Sequence, residues 1–247
     1  MPGHPGIVAA NNAASVAVAD GLPIELTATL TDPVNIDLKW KCHIPDVAGY
    51  FIDFNMGADT RFRILDIVLA EVTTYRHPRL MPDTRFAYRL RPFFGKASPA
   101  VSFASGDAPD EASGNGGVEP GLAPAGEAGT NFLRNPLTAD RAAPSGLTAT
   151  RVGPRIVDLK WKDNAKDEDG YLLEISCGSD HDFRVFALQE TNTVSFRASL
   201  LPPNTKCYFR VRAFYCGGPS LADEKTTGTA PTPASASGVS TARPGQD

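Results

Sequence analysis

The chain has 247 residues, of which 42% are hydrophobic and 21% are charged, and its formal net charge at pH 7 is −4. A prior of roughly 100 to 200 residues per domain predicts one or two domains with compact cores. The slight acidic excess provides no basic surface for nucleic acid or for an anionic membrane, so we expect neither as a primary partner. No apolar run reaches the length of a membrane span, and no secretory signal is visible.

Residues 1–19 contain no Asp, Glu, Lys or Arg and are compatible with β-structure, with short apolar runs at Ile7–Val8 and Val16–Val18. A segment of this kind adds readily to an open sheet edge, in its own chain or in a neighbouring subunit. We therefore predict an N-terminal arm that either packs on its own domain or engages a second copy.

A duplication organises most of the chain. Trp40 and Trp161 lie 121 positions apart, and the same offset superposes Asp37–Lys41 on Asp158–Lys162 without a gap. The offset holds until a one-residue insertion beside Cys216. An ungapped internal match of this length indicates one supersecondary unit present twice.

The duplication divides the chain into segments. It predicts a first domain over 20–107 and a second over 144–231. Residues 108–143 are rich in Gly, Ala, Pro and Glu, a composition that buries too little apolar surface to fold alone, so we predict a linker. The last stretch, Thr226–Asp247, is rich in Pro, Thr, Ser and Ala, and we predict a flexible tail over 232–247.

Each repeat shows the period of two that is typical of strands buried on one face. Trp40 ends an alternating run that begins at Ile36, and turn residues interrupt such runs about every dozen positions. Helical periodicity is absent. The sequence therefore predicts an all-β fold with two tandem antiparallel β-sandwiches, one core holding Trp40 with Tyr50 and the other Trp161 with Tyr171.

The order of the motifs resembles the fibronectin type III domain. In the second repeat, Pro144-x-x-Leu-Thr-Ala-Thr precedes a Leu-x-Trp strand, then Gly170-Tyr171, then Leu-x-Pro-x-Thr and Arg210-Val-Arg-Ala. The segment 159–171 is similar to the bacterial form of this family. The resemblance covers about two thirds of the chain and implies non-catalytic modules, extracellular or at the cell surface, which serve adhesion, receptors and enzyme spacers alike.

The family has a tyrosine near the start of strand F whose hydroxyl bonds to the upstream backbone, and here those positions are Phe86 and Cys207. Strands C and F are antiparallel neighbours in this fold. The register that faces Tyr171 with Ala213 also brings Cys177 opposite Cys207. Two alternatives stay open: these cysteines pack as thiols, or they form a disulfide that staples the corner where the tyrosine is missing.

The same register predicts a cross-strand ion pair in each repeat. Asp53 faces Arg89, and Glu174 faces Arg210. Each pair is worth about 0.2–1 kcal/mol. A solvated sheet face is the simplest interpretation and a ligand-binding face the alternative. The register also points Met56 into the first core.

The outer faces of strands C and F, together with the loops, are the predicted contact surface. It is marked by Phe51, Arg91, Phe93, Arg212 and Phe214. We expect Phe93 and Phe214 to be exposed apolar contacts for a protein partner. Self-association into a homopolymer and binding of a glycan stay open as alternatives.

No arrangement of residues indicates catalysis, a cofactor or a metal site. The acidic run Asp163–Asp169 lacks the spacing of a calcium loop because Ala165 interrupts it, and Cys42 and Cys216 lack the spacing of zinc ligands, so we expect isolated surface or edge thiols. Nucleophilic catalysis needs a base beside a nucleophile and a third group that orients it. No such grouping surrounds the histidines, which are His4, His43, His77 and His181.

Three functions are compatible with these patterns. The first is a non-catalytic extracellular or cell-surface module pair that binds protein, as in adhesion, and acts as a spacer. The second is a structural subunit of a surface filament that assembles through the N-terminal arm or the linker. The third is an accessory, non-catalytic region of a secreted carbohydrate-active enzyme.

Overall fold

A computed structural model describes residues 23–107 and 142–229 of the chain. These residues form fourteen strands, all paired antiparallel, and no helix, so the predicted all-β fold class is confirmed. Within these residues, no helix is long and apolar enough to cross a membrane. The predictions for the N-terminal arm, for most of the linker and for the C-terminal tail fall outside the described residues.

The strands of the first repeat are β1 (Ile24–Asp32), β2 (Asn35–Cys42), β3 (Gly49–Met56), β4 (Arg63–Leu69), β5 (Thr74–His77), β6 (Arg85–Phe94) and β7 (Val101–Ala104). Those of the second repeat are β8 (Ser145–Gly153), β9 (Ile156–Lys162), β10 (Gly170–Cys177), β11 (Arg184–Gln189), β12 (Ser195–Ala198), β13 (Lys206–Cys216) and β14 (Asp223–Thr226). The two series match in order, as expected for a duplicated unit.

The first sandwich packs a sheet of β1, β2 and β5 on a sheet that contains β4, β3 and β6. The alternation in β2 turns Ile36, Leu38 and Trp40 inward and leaves Lys39 in water. Trp40 meets Tyr50 edge to face, with ring centroids 5.7 Å apart. Full burial of an aliphatic or phenyl side chain contributes about 1.5–3 kcal/mol, so this inward face drives the sheets together.

The second sandwich repeats this arrangement with β8, β9 and β12 on β11, β10 and β13. Trp161 and Tyr171 are buried there with ring centroids 5.7 Å apart, beside Leu159 and Val211. The buried clusters around Trp40 and Trp161 share no residue. The two tryptophans therefore lie in two separate cores.

The predicted register between strands C and F is the register in the structure. Asp53 lies opposite Arg89 on β3 and β6, and Tyr171 lies opposite Ala213 on β10 and β13. The expected burial of Met56 is wrong, because this residue ends β3 and is 37% exposed. Alternation along a strand thus predicts its face well until the strand reaches its end.

The last strand of each sandwich comes from the other repeat. β7 pairs with β13, Ala104 facing Lys206, and β14 pairs with β6, Thr226 facing Arg85. If each repeat had completed its own sandwich, β7 would pair with β6 and β14 with β13 as simple hairpins. Contiguous domain bounds, as drawn from the repeat, do not anticipate this exchange, because each of these two strands completes the sandwich of the opposite repeat.

We call the two segments that carry β7 and β14 to the opposite repeat the crossover. The crossover also joins the two sheets that contain strands C and F. Where β6 and β13 leave their sandwiches, Phe94 faces Tyr215 and Phe93 faces Cys216, so one sheet of eight strands runs through both repeats. Gly95 follows β6 with a φ of 127°, in the region that favours glycine, and a side chain there would collide with the backbone of Ala213. Glycine thus permits the close approach at the crossover.

Candidate functional site

The residues predicted to form the contact surface are buried between the two repeats. Phe51, Phe93 and Phe214 are 0% exposed, Arg91 is 4% exposed and Arg212 is 9% exposed. The expected exposure of Phe93 and Phe214 is therefore wrong. These residues do form a contact surface, but their partner is the other repeat of the same chain. We call it the inter-repeat face.

Three phenylalanines from both repeats form the centre of the inter-repeat face. Phe51 of β3 lies 5.5 Å from Phe93 and 5.4 Å from Phe214, and Phe93 lies 6.4 Å from Phe214, measured between ring centroids. Such pairs contribute about 0.5–1.5 kcal/mol beyond the area they bury. The other buried members of this apolar cluster are Ile64, Ile67, Leu69, Leu172 and Phe183.

The Gly-Tyr motif of each repeat makes room for these rings. A side chain at Gly170 would come within 2.9 Å of the Phe214 ring, and one at Gly49 would overlap the Phe93 ring. Gly170 also has a φ of 146°, which favours glycine. A side chain at either glycine would also collide with a backbone oxygen of the neighbouring strand, that of Val68 or Gln189, so both strand pairing and the placement of the rings explain these glycines.

A buried carboxylate holds two arginines in the first repeat. Asp53 is 1% exposed and accepts hydrogen bonds from Nε of Arg89 at 3.0 Å and from Nε and Nη2 of Arg91 at 2.7 and 2.9 Å. Burial alone lowers the pKa of Arg91, but the hydrogen bonds and charge of Asp53 outweigh it and raise that pKa. The predicted solvated face is thus wrong: the pair became a buried cluster when the second repeat covered it.

The second repeat has the same cluster around Glu174, which is 0% exposed. Glu174 accepts hydrogen bonds from Nε of Arg210 and, at 2.6 Å, from Nε of Arg212. Arg212 also donates from Nη1 to the Gly95 carbonyl oxygen at 2.5 Å, across the repeats. The Arg210 guanidinium lies 4.1 Å from the centre of the Phe183 ring, which adds a cation–π contact. Every buried charge here has a partner, as burial of charge requires.

Two serines clamp the crossover with matching geometry. The Ser98 amide donates to the Val211 carbonyl oxygen at 2.8 Å, and its hydroxyl oxygen accepts from the Val211 amide at 3.2 Å. Ser220 does the same with Leu90, at 2.8 and 3.0 Å. The two clamps satisfy buried backbone groups of β6 and β13 with residues from the opposite crossover segment.

A second pair of clamps closes the ends of the exchanged strands. Ser105 bonds through amide and hydroxyl to the backbone of Thr205, both at 3.0 Å, and Thr227 bonds likewise to Thr84 at 3.0 and 2.9 Å. The exchange is therefore a symmetric feature of both repeats. Its residues obey an offset of 122 positions, one more than the rest of the repeat, because they follow the insertion beside Cys216. That shifted match, which our sequence reasoning missed, shows that the clamp residues are repeated, but it does not show that the strands exchange.

Cys177 and Cys207 are joined by a disulfide, with their Cα atoms 4.1 Å apart. The sequence left open whether these cysteines are free thiols or form a disulfide, and in the structure they form the disulfide. It links β10 to β13, and Cys207 pairs on its other side with Phe103 of β7. The disulfide therefore supports the strand that receives the exchanged β7.

We expect loss of this disulfide to destabilise the chain. The bridge closes a loop with a sequence separation of 30 residues, for which chain entropy gives about 3–4 kcal/mol. Urea unfolding of a Cys177→Ala/Cys207→Ala variant measures this difference. The control is Cys42→Ala, for which we expect less than about 1 kcal/mol. Equal stability of the double variant and the parent chain would contradict the prediction.

The polar residues considered for chemistry serve local structure. His77 bonds through Nδ1 to the Tyr88 hydroxyl at 3.0 Å, and burial lowers the pKa of His77. Glu168 accepts from the Asn192 amide at 3.0 Å, and Asp169 accepts from a strand-end amide at 2.7 Å. Across residues 23–107 and 142–229, no three His, Cys, Asp or Glu residues are placed to hold a metal ion.

No protein-family model and no curated protein matches the chain. Among solved structures, the chain is similar to a two-domain fibronectin type III segment of chicken tenascin, with 11% identity over 84% of this chain and 100% of that one, and a TM-score of 0.27. It is also similar to the FN1-FN3 domains of chicken CNTN1, with 16% identity over 85% of this chain and 67% of that one, and a TM-score of 0.27. Fibronectin type III domains are also what the sequence motifs resemble.

Proposed function

We propose that the chain is a non-catalytic extracellular or cell-surface module pair that binds protein partners and holds them at a fixed spacing. The inter-repeat face carries this proposal. Exchanged strands and a buried face with paired charges join the sandwiches into one body, whereas a flexible tandem would expose both faces. A spacer needs such a fixed arrangement, because relative motion of domains is the default when their interface is small.

The surfaces that remain for a partner are the outer sheets and the loops. The sheet of β1, β2 and β5 and the sheet of β8, β9 and β12 lie on the far sides of their sandwiches from the inter-repeat face. Exposed apolar side chains at these sheets and loops offer contacts for a protein partner. They are Leu30, Met81, Val152, Val194, Leu200 and Leu221.

The disulfide supports the extracellular location. Bridges such as Cys177–Cys207 form and persist in oxidising compartments and are rare in a reducing cytosol. Thiol blocking of intact producing cells, followed by mass measurement, tests this point. We expect the bridge to be oxidised in the native protein, and a mass that shows four blocked cysteines would contradict an oxidising location.

Nuclear magnetic resonance tests the fixed spacing without any substitution. We expect residual dipolar couplings from both repeats of the full chain to fit one alignment tensor, and ¹⁵N relaxation to give both the same rotational correlation time. A separate tensor for each repeat would contradict a spacer of fixed geometry.

Binding of the immobilised chain to panels of extracellular proteins and glycans tests the partner class. We expect saturable binding to a protein, weakened about tenfold or more by Leu200→Asp or Leu221→Asp at one of these exposed positions. The control is Asp182→Asn, at an exposed position without apolar character. Binding to glycans alone would favour the accessory region of a carbohydrate-active enzyme instead.

A further inference from the structure

The two exchanged strands are held with unequal strength. β7 inserts Phe103 into the second core, where this side chain is 6% exposed, and the Arg151 guanidinium lies 4.6 Å above its ring. The acceptor strand β13 is also tied to β10 by the Cys177–Cys207 bridge. Removal of β7 would therefore expose a large aromatic side chain and open the second core.

β14 has none of these attachments. Its sequence, Asp223–Thr226, adds no side chain to the buried cluster of the first core, and two of its four residues are exposed. It is held by the backbone ladder to β6, by the ion pair of Glu224 with Arg85, by the Asp223 carboxylate, which accepts from the Ala28 amide at 2.7 Å, and at its end by the Thr227 clamp. Because β14 has few apolar contacts, we expect its local opening to cost less than that of β7.

For β14 to open, the segment that leads to it must also release Gly217 and Ser220, which bond to the backbone of Pro92 and Leu90 on β6. Residues 217–222 join β13 to β14 and include Gly217, Gly218 and Pro219, and a side chain added at Gly218 would meet no atom within 4 Å. Detachment of β14 would leave β6 as an unpaired edge, with a row of free backbone donors and acceptors. An edge of this kind accepts another extended strand.

We propose that β14 is exchanged between two copies of this chain, so that β14 of each copy pairs with β6 of the other. In the structure each last strand already pairs with the opposite repeat and not with the strand that precedes it in the chain. The position of β14 is therefore set by the fit of its side chains and not by its connection to β13. The fit of Glu224 to Arg85 and of Asp223 to the Ala28 amide is available only from a strand with this sequence. A second copy carries that strand. Reciprocal exchange forms a closed two-fold dimer.

The contacts of β14 are the same within one chain and between two chains, so concentration decides between them. A short connection, once it is released from β6, gives an effective concentration on the order of millimolar. We therefore expect a monomer at micromolar concentration and the exchanged dimer near millimolar concentration, or where copies are crowded on a surface. This inference does not depend on the proposed binding function.

A cross-link between two full-length variants tests the exchange. Ala87 and Glu224 face each other on β6 and β14, so an Ala87→Cys chain labelled with ¹⁵N is mixed with an unlabelled Glu224→Cys chain at about millimolar concentration and oxidised. We expect a disulfide-linked heterodimer whose peptide map joins positions 87 and 224. The matched control replaces Glu224→Cys by Asp182→Cys, an exposed position outside β14. Absence of the link at 87 and 224, or equal linking by the control, would overturn the proposal.

A charge-reversal pair tests the same exchange without buried substitutions. Arg85→Glu and Glu224→Arg each place like charges together within one chain, whereas the mixture restores opposite charges only through exchange between chains. We expect native mass spectrometry to show about threefold or more heterodimer in the mixture than homodimer in either variant alone. Equal dimer fractions in all three samples would overturn the proposal, even if the cysteine variants failed to fold.

Discussion

A Glu174→Ala chain unfolds with a free energy about 3–5 kcal/mol lower than that of the parent chain. Glu174 is 0% exposed and pairs with Arg210 and Arg212. Removal of its carboxylate leaves both guanidinium groups without this partner. Loss of one partner from a buried ion pair costs this much because the remaining charge is desolvated without compensation. Urea unfolding at neutral pH measures the difference.

Glu224→Ala provides the matched control for Glu174→Ala. Glu224 also pairs with an arginine, Arg85, but its side chain is 52% exposed and that of Arg85 is 39% exposed. An exposed pair contributes about 0.2–1 kcal/mol, so we expect a small loss. If both variants lost the same free energy, burial at the inter-repeat face would not be the cause of the larger effect.

Phe214→Ala removes the ring shared by both repeats at the centre of the inter-repeat face. We expect a loss of about 3–5 kcal/mol, because truncation of a buried phenylalanine removes its transfer free energy and leaves a cavity. We also expect the two repeats to lose their common orientation, since Phe214 contacts both Phe51 and Phe93. Thermal unfolding and residual dipolar couplings measure the two effects.

Phe209→Ala separates the two consequences. Phe209 is also 0% exposed, but it lies in the core of the second sandwich. We expect a similar loss of stability with both repeats still fitting one alignment tensor. A loss of common orientation in Phe209→Ala, or its retention in Phe214→Ala, would contradict the role that we assign to the inter-repeat face.

The exchanged strands and the inter-repeat face make the two repeats depend on each other. Ser98 and Ser220 satisfy backbone groups of the opposite repeat, and each sandwich is completed by a strand of the other. The two copies of a duplicated unit normally fold as separate domains. In this chain the duplication instead produced two halves of one body, and the spacing role that we propose depends on the contact between them.

The alternation of side chains by itself determined much of the molecule. It placed Trp40 and Trp161 in two cores, and it set Asp53 opposite Arg89, because a strand turns every second residue to one face and antiparallel neighbours share a register. These properties depend on residues close in sequence or on adjacent strands. They are therefore readable without knowledge of the rest of the fold.

Only the tertiary structure decided which faces meet water and which strand completes each sandwich. Phe93 and Phe214 lie on the outer faces of their own sheets, so period-two alternation cannot distinguish a solvated face from one covered by another repeat. Likewise β7 and β14 are short strands that fit either edge by backbone geometry, and their sites depend on side chains more than a hundred residues away. Burial of these faces and exchange of these strands depend on contacts between segments that are far apart in sequence. The local alternation of side chains carries no information about which distant segments meet.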